Sequence, residues 1–153
     1  MPDTKHILKV LRDELLLQTR HCKLLEAQEQ ALLACDRDRF TALQLEYARM
    51  LLELETQDAA RRAALTDEQG NSLSFTGLKK LIPALSLTTL EDGLRRVMER
   101  IHILTQRNKT LIQNELDYFA FTLDLFVEAG RSAQTGYGGS GRLMGRLMLD
   151  RRA

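Results

Sequence analysis

The stretch "TTLEDGLRRVMERIHILTQRNKTLIQNELDYFAFTLDLFVEA", residues 88–129, contains one glycine and no proline. Leu90, Leu94, Val97, Ile101, Leu104, Asn108, Leu111, Glu115, Tyr118, Thr122 and Leu125 follow one another at strict four- and three-residue steps. Such spacing keeps one stripe of a helix turned toward its neighbours over many turns. At 1.5 Å per residue the stretch predicts a helix of about 60 Å. Thr88, followed three residues later by Glu91, has the form of a capping box and predicts the start.

Working outward from this helix, "FTGLKKLIPAL" (75–85) predicts a short helix that ends before Pro83, because a residue preceding proline avoids the helical region. "DEQGNSLSF" (67–75) reads as a loop centred on Gly70-Asn71. Before it, a helix is expected over about 37–66, capped by Asp36 and carrying Phe40, Leu43, Tyr47, Met50 and Leu54 on one face. Beyond Leu54 its seam turns polar through Gln57, Arg61 and Arg62. Residues 4–34 predict a first helix, capped by Asp3 or Thr4, with Leu8, Leu11, Leu15, Cys22, Leu25 and Leu32 in its stripe and Gln18 and Glu29 filling the gaps. The short connection "ACDRDRF" makes the first two helices antiparallel. The expected fold is all-α: an elongated, coiled-coil-like antiparallel bundle of three long helices in one domain, residues 1–130. A flexible glycine-rich tail, 131–153, follows it.

Composition narrows the function. The chain has 22 Lys+Arg against 21 Asp+Glu, a net charge of +1, which gives no basic excess for nucleic acid. No run approaches eighteen apolar residues, and "MPDTKHILKV" lacks the apolar core of a signal peptide, so a cytoplasmic location is expected. Cys22 and Cys35 have neither the number nor the spacing of a metal site or disulfide framework. His6, His21 and His102 are scattered and read as surface or interface residues; His21 and its neighbour Cys22 point about 100° apart on a helix. No carboxylate pair or Ser, His and Asp grouping suggests catalysis, and no cofactor is expected. "GYGGSG" (136–141) matches the G-x-G-x-x-G pattern of dinucleotide sites, but that pattern works only after a strand and before a helix of a βαβ unit. No segment here reads as a strand, so the glycines serve flexibility.

Hydrophobicity is in surplus in one place. Beside Leu111, Tyr118 and Leu125 runs a second row, Ile112, Leu116, Phe119, Leu123 and Phe126. Three of the 5 Phe (119, 121 and 126) lie in this region. A bundle helix needs one apolar stripe. Leaving five more large side chains in water forgoes about 1.5–3 kcal/mol each relative to burial. The row is therefore covered by the 75–85 segment, by a second copy of the chain, or by a partner. The tail favours a partner. Six of the 9 glycines fall in the last 24 residues, and its end, "RLMGRLMLDRR", repeats an Arg-Leu-Met unit. As a helix that end would be amphipathic, basic and rich in adaptable methionine, with Gly145 weakening it in isolation. A basic amphipathic helix also suits an anionic lipid surface.

At "RNKTLIQNELDYFAFTLDLF…TGYGG" the chain resembles the FlgN family of flagellar export chaperones. Asn108, Leu111, Ile112, Asn114 and Leu116 match the family's Asn and Leu-rich helix, and Tyr137-Gly138 its Tyr-Gly after a flexible linker. "LLACDRDRFTALQLEYARMLLELETQDAARR" is similar to its turn, charged second helix and closing basic pair. The similarity covers most of residues 20–141, and the Arg-Leu-Met ending stands outside it. It implies a cytoplasmic chaperone for the hook–filament junction proteins FlgK and FlgL. Ile112, Leu116, Phe119, Leu123 and Phe126 would hold the client's C-terminal helical segment, and Tyr137 and Gly138 would meet the export gate. Membrane contact would then be only indirect, through that gate. The alternative is a homo-oligomeric coiled-coil adaptor, a homodimer for example, whose third helix pairs with its own copy.

Overall fold

A computed structural model of the chain describes residues 3–135. Four helices follow in order: α1 (Thr4–Leu33), α2 (Arg37–Ala64), α3 (Phe75–Leu78) and α4 (Ala84–Thr135). The chain divides into two compact units, Met1–Leu111 and Ile112–Ala153.

In the first unit Asp3 caps α1, its carboxylate accepting from the Lys5 and His6 amides at 3.0 and 3.2 Å. The turn to α2 is a Schellman closure. The Asp36 amide returns to the Ala31 carbonyl at 2.9 Å and the Cys35 amide to Leu32 at 3.1 Å. Cys35 supplies the left-handed residue, with φ of 53°. Asp36 then caps α2 by accepting from the Arg39 amide at 3.0 Å, as expected. Side-chain bonds fix the direction: Gln57 donates to the Val10 carbonyl at 2.9 Å, and Arg20 pairs with Glu53 at 2.9 Å. Positions rise along α1 as they fall along α2, so the two are antiparallel. Glu26–Arg100 and Glu29–Arg107 pairs rise together, so this part of α4 runs parallel to α1.

Two apolar clusters form the core. Ile7, Leu11, Leu65, Leu78, Ile82, Leu87 and Leu90 build one, with Leu15, Phe75 and Leu94 packed against it. Leu25, Ile101 and Leu104 build the other, with Cys22, Tyr47 and Val97. Gly93 lies under Leu15, where a Cβ would come within 3.1 Å of a Leu15 methyl. The loop before α3 is tied by Asp67, which accepts from the amides of Gln69 (2.9 Å) and Asn71 (2.7 Å). Gly70 takes φ of 84° in the same loop. The Asn71 amide is the main cause holding the Asp67 carboxyl below its usual pKa.

Two expectations need correction. The last long helix starts at Ala84 rather than Thr88, and runs to Thr135 rather than 129. Proline lacks only an N–H that a first turn leaves unbonded anyway, so Pro83 begins a helix as readily as it ends one. The early start also carries Leu87 into the core, where it is wholly buried. Glu91 is consequently not a capping residue: it pairs with Lys79 at 2.7 Å and Arg95 at 3.3 Å. The expected 75–85 helix is only the four residues of α3, capped by Ser74.

Candidate docking face on the long helix

The second unit is described over residues 112–135, all within α4. Ile112, Leu116, Phe119, Leu123 and Phe126 recur at 4-3-4-3 steps and therefore lie on one side of the helix. Ile112 is half-buried. Leu116, Phe119, Leu123 and Phe126 are 58%, 52%, 48% and 72% exposed, and Val127 beside them 53%. No residue of 112–134 is buried. Of the 75–85 segment, offered in the sequence as one cover for the row, Leu78, Ile82 and Phe75 pack in the cluster around Ile7 and Leu11 of the first unit.

This stretch of the helix is acidic, with Asp117, Asp124 and Glu128 on the side away from the row. Residues 112–130 include Glu115, Asp117, Asp124 and Glu128 and neither Lys nor Arg. Gln113 donates to Asp117 at 2.9 Å, and Arg131, one step beyond, approaches Glu128 at 3.8 Å. Chemically, the row is an apolar strip that can bury the apolar side of an amphipathic helix. Tyr137, Gly138 and the Arg-Leu-Met ending lie outside the described residues.

A second feature, in the first unit, was missed in the sequence. Along α1, Val10, Glu14, Leu17, His21, Leu24, Gln28 and Ala31 form another four-three series, and all are buried. Every second member, Glu14, His21 and Gln28, is polar and seven residues from the next, which conceals the series from a search for apolar stripes. The Gln18 amide bridges two of them, donating to Glu14 Oε1 at 2.9 Å and meeting His21 Nδ1 at 3.3 Å. The His21 ring lies 5.6 Å from that of Tyr47. Among the described residues, Glu14 Oε2 and His21 Nε2 find no hydrogen-bond partner. Both side chains line a crevice of about 510 Å³ that also meets Asp58, Arg61, Phe75 and Met98. Asp58 is already engaged by Arg61 and Arg62, with Arg62 the larger cause of its lowered pKa. Burial lowers the pKa of His21, favouring the neutral ring. Burial likewise raises that of Cys22, which weakens it as a nucleophile. Among the described residues no group of three or more His, Cys, Asp or Glu is placed to hold a metal ion. No described helix is long and apolar enough to cross a membrane.

Asn108, expected as a polar position in the seam of α4, is buried and donates to the Leu25 carbonyl at 3.0 Å. Glu115, the other such position, is half-buried.

A family model described as FlgN protein matches residues 1–145 of the chain. No curated protein and no solved structure matches it significantly.

Proposed function

As the chain belongs to the FlgN family, chaperones of flagellum assembly rather than enzymes, we propose that it is a cytoplasmic type III export chaperone for FlgK and FlgL. It binds their C-terminal helical segments, prevents premature assembly, and delivers them to the export gate. The observation that carries this reading is the open row on α4, Leu116, Phe119, Leu123 and Phe126, roughly half or more exposed. Contiguous apolar surface of this kind on a soluble chain marks a place where another surface sits. Ile112 completes the row at one end. An amphipathic client helix fills it through residues spaced i, i+3 and i+7. Tyr137 and Gly138 are proposed as the export-gate contact, on the strength of their match to the family's Tyr-Gly.

The test is calorimetric titration with the C-terminal segments of FlgK and FlgL, beside a variant carrying Leu116→Glu, Phe119→Glu and Leu123→Glu. One-to-one binding at about micromolar Kd or tighter, about −8 kcal/mol, lost in a variant of unchanged helicity, is expected. A folded sample that takes up neither client ends the chaperone reading and leaves the homo-oligomeric adaptor.

A further inference from the structure

The core of the first unit is interrupted. One apolar cluster gathers around Leu11 and Leu65, the other around Leu25 and Leu104. The crevice of about 510 Å³ lies between them, lined by Leu11 and Leu65 of the one and Ile101 of the other. A seam built for packing alone would carry apolar residues at positions 14 and 21 of α1. Glu14 and His21 stand there instead, each only 9% exposed, and both line the gap. We propose that this crevice binds a small organic cation, an ammonium, amidinium or guanidinium on an apolar body, whose N–H groups Glu14 and His21 receive.

The hydrogen bonds decide the sign of the ligand. An ionised carboxylate only accepts, so the Gln18 side chain turns its NH2 group to Glu14 Oε1, at 2.9 Å. Its carbonyl oxygen then faces His21 Nδ1 at 3.3 Å, and Nδ1 has to donate. Burial favours the neutral ring, so the other nitrogen, Nε2, holds a lone pair. The two atoms that find no partner among the described residues, Glu14 Oε2 and His21 Nε2, are thus both acceptors. Neither touches bulk solvent, and an acceptor so placed is costly until something donates to it. Two such acceptors call for a donor and refuse an anion.

Charge and shape agree. Among the lining residues two carboxylates, Glu14 and Asp58, stand against one guanidinium, Arg61, which is already paired with Asp58. A metal ion is the poorer occupant, because no group of three or more His, Cys, Asp or Glu among the described residues is placed to hold one. Leu54, Phe75, Leu94 and Met98 supply apolar walls, and the volume is that of an ordinary small-molecule site. Met98 is half-exposed at the rim, and its unbranched side chain can yield as a ligand enters. The proposal does not rest on the client reading, whose row belongs to the other unit.

The test is NMR of the full chain with labelled methionine methyls, the Met98 signal being assigned by its loss in Met98→Leu. The chain is titrated with benzamidine and, separately, with benzoate, the same ring bearing the opposite charge. Benzamidine is expected to move the Met98 methyl and the His21 ring signals, saturating at about millimolar concentration. Met50, which is buried and does not line the crevice, should stay in place, and benzoate should move none of them. Glu14→Gln keeps the size and removes the charge; in a sample of unchanged helicity it should weaken benzamidine about tenfold or more. An equal response to the two compounds, or benzamidine binding unaltered by Glu14→Gln, overturns the inference. So does a Met98 signal that stays still at about tenfold above the expected concentration, which leaves Glu14 and His21 as part of the bundle seam alone.

Discussion

Leu104 and Leu116 are the same residue on the same helix, three turns apart. Leu104 is wholly buried and Leu116 is 58% exposed. Asn108 and Asn114 repeat the contrast: the first is buried and bonded to the Leu25 carbonyl, the second is exposed. Nothing in local propensity separates the members of either pair. What differs is company. Residues 84–111 of α4 have α1 alongside, with Leu25, Glu26 and Glu29 touching Ile101, Arg100 and Arg107. Residues 112–134 carry a row just as regular, of which Leu116, Phe119, Leu123 and Phe126 are about half or more exposed. Helical periodicity reports that a face is apolar; it does not report whether the chain itself fills it.

The sharpest way to break this contrast is to truncate both leucines. Leu104→Ala should cost about 2–5 kcal/mol in urea unfolding, as for a filled core position. Leu116→Ala should change stability by no more than about 0.5 kcal/mol. Similar losses for both would mean that the row is packed in solution. The asparagine pair gives a smaller version: Asn108→Ala should cost about 1 kcal/mol, the net worth of one buried bond, and Asn114→Ala nothing measurable in the same melt.

The finest test uses acid. His21 has its pKa lowered by burial in the α1 seam, so the folded state takes up its proton only at lower pH than the unfolded state does. Its contribution to stability is complete above the ordinary value of 6.5 and drains away as pH falls from there through the folded-state value. His21→Gln should flatten the stability profile in that window. It should leave the lower, carboxylate-driven limb unchanged, since Asp58, Asp67 and Glu91 have pKa values below their ordinary 3.8, 3.8 and 4.5. An unaltered profile between neutral pH and the carboxylate range would show that His21 is hydrated and the seam less tight than its geometry.

How far the sequence was legible follows the same physics. The apolar stripe of α4, the Asp36 cap and the Gly70 loop were readable because each rests on neighbours in the chain. The open row was readable as surplus, though not its vacancy within the first 135 residues, since that depends on which elements arrive opposite it. The start at Ala84 was misread because proline is compatible with both ends of a helix, and only the burial of Leu87 decides between them. The seam of Glu14, His21 and Gln28 was invisible because polar residues occupy positions that packing, rather than hydropathy, makes interior. Arg61 and Arg62 were read correctly as the polar end of α2, though not their shared grip on Asp58.

The closed turn at Ala34–Asp36 has a kinetic consequence. Bonds between α1 and α2 join residues 15 to 47 apart in sequence, whereas those between α1 and α4 join residues 74 to 83 apart. A three-residue turn with its amides already satisfied brings the α1–α2 pair together over short loops, which close faster and at lower entropic cost than long ones. The hairpin is thus the nucleus on which α4 docks. Substitutions at Leu17, inside the hairpin, should slow folding, while those at Leu104 should chiefly speed unfolding. During synthesis the scaffold would be assembled before the α4 face has left the ribosome.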